Sequence, residues 1–214
     1  MTWPAREGVI KFQLDFQPGA PPPAGYLSEL NAWRTIFCRL GLLGQDSKRY
    51  HGLGFGNLSR RLPSQGDHAF VISGTQTGHL PSLQPEHYAI VLQSTPVANR
   101  LTARGRIKPS SEALSHAVLY QVKAQIQWVM HLHSPDIFNA RGSLGLPCTN
   151  PSAAYGTPEM AMEIERLAPR VDQQLPGLLV MNGHQDGILA YGESATETGG
   201  IVVETLALAL RQNR

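Results

Sequence analysis

The run Ile126-Gln-Trp-Val-Met-His-Leu-His-Ser-Pro135 (IQWVMHLHSP) decides how the rest of the chain is read. Its apolar opening predicts a buried strand over Gln127–Leu132. Residues two apart on a strand share a face, so His131 and His133 can aim both imidazoles at one point. Leu132 turns the opposite way, into a core. Nitrogen atoms about 2 Å from a common centre are what a zinc ion requires. A third histidine, His184, follows the apolar strand expected at Leu178–Met181, where a chain leaves a sheet and can enter a cleft. Three protein ligands with an open fourth position mark catalytic rather than structural zinc. The other histidines, His51, His68, His79, His87 and His116, fall in loops, turns or a helix without ligand spacing.

Upstream, Ser110-Ser111-Glu112 opens a helix expected to run to about Lys123. Glu112 has two readings: an acid in a first turn that favours the helix dipole, or a carboxylate beside the metal. Spacing alone leaves both open. Gly56-Asn57, Thr75-Gln76-Thr77-Gly78 and Ser110-Ser111 are clusters of small residues with exposed amides and hydroxyls. Such groups at turns and helix starts can cradle a phosphate.

Working outward, Leu27, Leu30, Trp33, Phe37 and Leu40 recur at helical spacing, and Gly41 and Gly44 close that helix. The segment HGLGFGNLSRR reads as a Gly-rich turn leading to short strands near Ala69–Ser73 and Tyr88–Gln93. Thr157-Pro158-Glu159 supplies an N-cap, a proline at N1 and a first-turn acid for another helix. A strand near Ile188–Tyr191 precedes a last helix with Ser194 and Glu197 at capping-box spacing. At the other end, Ile10, Phe12, Leu14 and Phe16 alternate with Lys11, Gln13 and Asp15. This predicts an accessory strand over Val9–Phe16, docked on the main domain or on a neighbouring subunit's sheet edge. The proline-rich piece from Pro18 to Gly25 is a stiff connector. The expected division is a leader, residues 1–25, and one α/β domain, residues 26–214, with a central sheet flanked by helices.

The hydrophobic fraction of 42% and 214 residues suit one sizeable core. A net charge of +2 argues against nucleic-acid and anionic-membrane partners. The small basic spots, Lys48-Arg49 and Ser59-Arg60-Arg61, read as solvated or substrate-facing patches. The amino terminus, MTWPAREGVIKF, lacks the pattern of a signal peptide, and no run is long enough to span a bilayer. Cys38 and Cys148, far apart and unpaired, suit a reducing compartment, so a cytoplasmic location is expected.

Together, GNLS (56–59), ISGTQTGHL (72–80), PSSEALSHAVLY (109–120), VMHLHSP (129–135), and the His184 region followed by Tyr191-Gly192 and the last helix stand in the order of class II aldolase/adducin domains. From about Tyr26 onward the chain resembles that family. The resemblance implies a three-layer α/β/α fold with a mostly antiparallel sheet. It makes His131, His133 and His184 the ligands of zinc or another divalent ion, and Glu112 the acid that serves as metal neighbour and base. It assigns Gly56, Asn57, Thr77, Gly78, Ser110 and Ser111 to a substrate-phosphate pocket. It further implies a homotetramer with active sites between subunits.

The activity so implied is a lyase acting on a ketose phosphate or sugar acid through a metal-stabilised enediolate, releasing an aldehyde. Epimerases, dehydratases and decarboxylases use the same chemistry, and an adducin-like interaction domain is the non-catalytic alternative. Three features depart from the family, one being the strand-and-proline leader from Val9 to Gly25, which lies outside the usual domain. His184-Gln185-Asp186-Gly187 places two extra residues between histidine and glycine, and Asp186 adds a carboxylate. The quoted motifs do not place the family's proton-donating tyrosine; Tyr155 and Tyr191 are the candidates, with Tyr155 preferred.

Overall fold

The computed structural model describes residues 9–168 and 175–212. The amino-terminal residues 1–8, which bear on the signal-peptide reading, lie outside them. So do residues 169–174, 213 and 214.

The strands are β1 (Gln13–Pro18), β2 (Gly44–Gln45), β3 (Gly54–Phe55), β4 (Asn57–Arg61), β5 (Phe70–Ser73), β6 (Tyr88–Thr95), β7 (Arg100–Gly105), β8 (Trp128–His133), β9 (Gly177–Val180) and β10 (Gly187–Gly192). The helices are α1 (Ser28–Arg39), α2 (Ala113–Val122), α3 (Pro135–Ala140), α4 (Pro158–Leu167) and α5 (Ala195–Gln212). Eight strands form one sheet in the order β1-β7-β6-β5-β4-β8-β10-β9, and β2 pairs with β3 in a small ribbon. Every neighbouring pair in the large sheet is antiparallel except β1 with β7. The fold is α/β, as expected.

Alternation along the strands divides the core into two layers. Phe70, Ile72, Val129 and Leu189 pack beneath Leu114 and Leu119 of α2 and Met160 and Ile164 of α4. On the opposite face Leu58, Met130, Leu132 and Ile188 meet Leu30 and Phe37 of α1, Ile137 of α3 and Val202 of α5. Each such side chain, fully buried, contributes roughly 1.5–3 kcal/mol. Trp128, Met130 and Leu132 belong to the second layer, which leaves Val129, His131 and His133 facing α2.

Three elements of the main sheet and its flanking helices were not expected from the sequence. The Gly-rich segment contains β4, an interior strand between β5 and β8. Ser59 and Arg61 look unlike core-strand residues, yet both are satisfied from outside the ladder. Ser59 Oγ meets His116 Nδ1 and Tyr120 Oη, each at 2.7 Å. Arg61 donates to the carbonyls of Ile126, Asp67, Tyr120 and Lys123. Arg61 is therefore a buried brace, not part of a solvated patch. Arg60 is half-buried over the Trp128 ring, 4.7 Å away.

The other two additions are β7 and α3. The latter is capped by Ser134 Oγ, which accepts from Ile137 N at 3.3 Å. The leader strand begins later than expected, at Gln13, and adds to this chain's own sheet beside β7. Phe12 is buried, and Leu14 and Phe16 pack against the first core layer. Both cysteines are free thiols, and among the described residues no helix is long and apolar enough to cross a membrane.

Candidate functional site

The three predicted ligands meet. His131 and His133 occupy the end of β8, and His184 sits in the turn joining β9 to β10. That turn is held by bonds from His184 N to Met181 O and from Gly187 N to His184 O, at 2.8 and 3.0 Å. All three histidines are buried, and one nitrogen from each lies within 4.8 Å of the other two. His131 Nε2 and His133 Nε2 are 3.1 Å apart, close to the edge of about 3.3 Å set by tetrahedral ligands about 2 Å from zinc. His131 Nδ1 donates to the carbonyl of Ile188 at 3.0 Å, which leaves Nε2 with its lone pair directed to the cluster. Burial, reinforced by the neighbouring His184, holds His131 and His133 well below the usual imidazole range. Neutral imidazoles crowded nitrogen to nitrogen are a donor set that fits a divalent cation.

Glu112 sits at the start of α2 and beside the histidine cluster. It occupies the cap position of α2, where Ser115 Oγ donates to its Oε2 at 2.7 Å. Its Oε1 lies 3.8 Å from His184 Nδ1. The carboxylate is buried against the triad. Tyr155 is also present: its ring stacks on His184, with centroids 4.5 Å apart and planes at 23°. Tyr191 packs in the first core layer, and its register partner Val129 is two residues before His131.

Beside the triad is a polar cleft lined by Gly54, Gly56, Asn57, Gly74, Thr75, Gln76, Thr77, Gly78, Ser110 and Ser111. All six residues expected for a phosphate pocket are among them. The cleft adjoins the triad through the chain itself: Asn57 is the register partner of His131, and Ser111 precedes Glu112. Asn57 is buried, and its Oδ1 has no hydrogen-bond partner among the described residues. Gly78 is required by a close approach, since a Cβ there would strike the Gly44 carbonyl and come within 2.8 Å of Gly54 Cα.

Four residues of this region were not singled out from sequence. Arg34 of α1 is buried and donates to the carbonyls of Thr77, Leu80 and Pro81 at 3.1, 2.7 and 3.3 Å, bracing the cleft loop. Its place four residues after Leu30 and three before Phe37 signalled an inward arginine. His116 lies one turn beyond Glu112 on α2, fully buried, with burial lowering it to about 3. Its spacing from Glu112 was the available signal.

Tyr50 stands edge-on to His133 at 4.7 Å and donates to Asp186 Oδ2 at 2.8 Å, while Arg49 donates to the Tyr50 hydroxyl at 2.7 Å. Tyr50, His51 and Asp186 all have left-handed backbone, with φ of 48°, 58° and 59°, an uncommon conformation for such residues. The extra residues after His184 thus bring Asp186 to Tyr50 at the rim of the site. The fourth, Lys11, comes from the leader.

A sheet with helices on both faces, a three-histidine cluster that could hold a metal ion and an adjoining cleft of small residues define the class of α/β protein. Residues 43–210 match the family described as the class II aldolase and adducin N-terminal domain, and the chain belongs to it. L-fuculose-1-phosphate aldolase from Thermus thermophilus is similar in fold, with a TM-score of 0.62 and 17% identity over 89% of this chain and 93% of that one. YgbL from Escherichia coli, provisionally assigned as an aldolase/epimerase/decarboxylase, gives a TM-score of 0.60 and 24% identity over 85% and 84%. A sugar-phosphate aldolase from Thermotoga maritima gives 0.61 and 12% over 87% and 94%. No curated protein sequence matches the chain.

Proposed function

We propose that the chain is a divalent-metal-dependent lyase, zinc being the first choice of ion, that cleaves a carbon–carbon bond of a small ketose phosphate or sugar acid and releases an aldehyde. The observation that carries this reading is the adjacency of a buried histidine triad, a buried carboxylate and a polar cleft within a class II aldolase fold.

His131, His133 and His184 would hold the ion, whose Lewis acidity would polarise a substrate carbonyl. Glu112 has the reach to exchange a proton with a substrate hydroxyl or carbon at the triad, from a buried site that excludes competing water. Amides and hydroxyls of the cleft, from Gly56, Asn57, Thr77, Gly78, Ser110 and Ser111, would grip the phosphate or acid end. That remote binding orients the reacting carbon. Tyr155, packed on His184, is the residue we assign to the second proton transfer. By family resemblance we extend the proposal to a cytoplasmic homotetramer with sites between subunits.

Two measurements test it together. Elemental analysis of protein purified without added metal should find about one divalent ion per wild-type chain and less than about a tenth of that in His133→Ala, the loss expected on removing one of three ligands. Product analysis across ketose phosphates and sugar acids should then find an aldehyde. Substrate loss without an aldehyde would move the reaction to an epimerase, dehydratase or decarboxylase. Absence of metal even after reconstitution would favour an adducin-like interaction domain.

A further inference from the structure

The leader contributes a side chain to the neighbourhood of the triad. Lys11 precedes β1 and falls outside the family match, which begins at residue 43. The leader is anchored at this lysine's carbonyl and two residues further on: Asn99 Nδ2 donates to Lys11 O at 3.1 Å, and Gln13 N donates to Asn99 O at 2.8 Å. Phe12 is buried in the first core layer. With its backbone fixed, Lys11 directs its ammonium over the face of Tyr155, 3.6 Å from the ring centroid. The same Nζ donates to the Tyr155 carbonyl at 3.0 Å. The chain then turns at Gly156, whose φ is +68°.

Beyond Tyr155 the contact continues as a column. The Tyr155 ring stacks on His184 at 4.5 Å, and His184 stacks on His131 at 4.9 Å and 25°. An ammonium over an aromatic face is attractive, more so when water is excluded. Here it presses on the face of Tyr155 and also ties down that residue's main chain. An imidazole ligand is effective only when its ring plane is held toward the metal, and groups behind the ligands commonly do that holding. His184 sits in a turn, not in the ladder that fixes His131 and His133, so it depends most on such support.

Resting on the metal reading above, we infer that Lys11 is a positioning residue of the metal centre: the leader clamps Tyr155, and Tyr155 holds His184 in its ligating orientation. The leader is thereby a working part of the site.

The test uses the full chain and zinc itself, with affinity measured by competition against a chromogenic chelator. Lys11→Met keeps the aliphatic stem and removes the charge; Lys11→Arg restores a cation able to cover the ring. We expect Lys11→Met to weaken zinc binding about tenfold, in the range usual for residues behind a ligand. Lys11→Arg should recover most of that loss, with the metal-free melting temperature of both variants close to wild type. Unchanged zinc affinity in Lys11→Met, beside tight wild-type binding, would overturn the clamp alone. So would a loss that follows the metal-free melting temperature and is not recovered by arginine, because that marks general fold support. A wild-type chain that takes up no zinc would overturn the clamp and the metal reading together.

Discussion

The triad and the cleft lie side by side but are built from opposite materials. The triad is made of side chains, three buried imidazoles, with a buried carboxylate beside them. The cleft is lined by small polar residues and four glycines, and Gly78 matters there because it lacks a side chain, which lets backbones approach closely. A side-chain site is tuned by burial and neighbouring charge. A backbone site is tuned by how closely main chains approach. The two should therefore fail in different ways and independently.

The largest separation should come from Gly78→Ala. Its methyl would collide with the backbone of Gly44 and Gly54, which cannot swing aside as a flexible side chain can. We expect a stability loss of about 3 kcal/mol, at the upper end for inserting a methyl into packed structure. Affinity for a phosphorylated substrate should fall, while metal content stays near wild type. Denaturant unfolding, substrate titration and elemental analysis check the three parts; loss of metal would break the claimed independence.

A somewhat smaller effect sharpens the side-chain half. Burial lowers His116 from 6.5 to about 3. Between those values the unfolded chain binds a proton that the folded chain refuses. Stability associated with neutral His116 is thus present above pH 6.5 and declines as pH falls toward about 3. From pH 7 to pH 5 the decline should be about 2 kcal/mol, at roughly 1.4 kcal/mol per unit. His116→Gln should lose correspondingly less over that range in urea unfolding; parallel curves for the two proteins would contradict this.

The smallest expected effect is at the rim. Tyr50→Phe removes the hydroxyl that joins Arg49 to Asp186 while keeping the ring against His133. About 1 kcal/mol of stability should be lost, the usual worth of such a bond. Metal content should hold, because the ring contact remains. A loss of metal would show that the hydroxyl network, rather than the ring, supports His133.

The same contrast in materials explains what could be read in the sequence. His131 and His133 were legible because strand alternation converts spacing into direction, and the strand is where they were expected. Their convergence with His184 was foreshadowed by the resemblance, since 51 residues separate His133 from His184. The ends of α1 and α4 were marked by periodicity and capping residues. By contrast β4 was read as a turn, because Ser59 and Arg61 become acceptable core residues only after α2 and the following loop supply their partners. Tyr50 and Lys11 were missed for a related reason. Each reaches the site through a ring contact with a residue distant in sequence, and no local pattern encodes that.

The leader strand also bears on how the sheet's borders are closed to strands from other chains. An open sheet offers unpaired amides and carbonyls at each border, and these invite strands from other chains. At one border β1 turns Asp15 and Gln17 outward and ends at Pro18, with Pro21, Pro22 and Pro23 close behind. At the other, the segment around Cys148 lies alongside β9, where Thr149 N donates to Val180 O and Val180 N donates to Pro147 O. One border carries an acidic residue and ends at proline, and the other is met at Val180 by the chain's own backbone. Both features disfavour strand addition at the borders of the eight-stranded sheet.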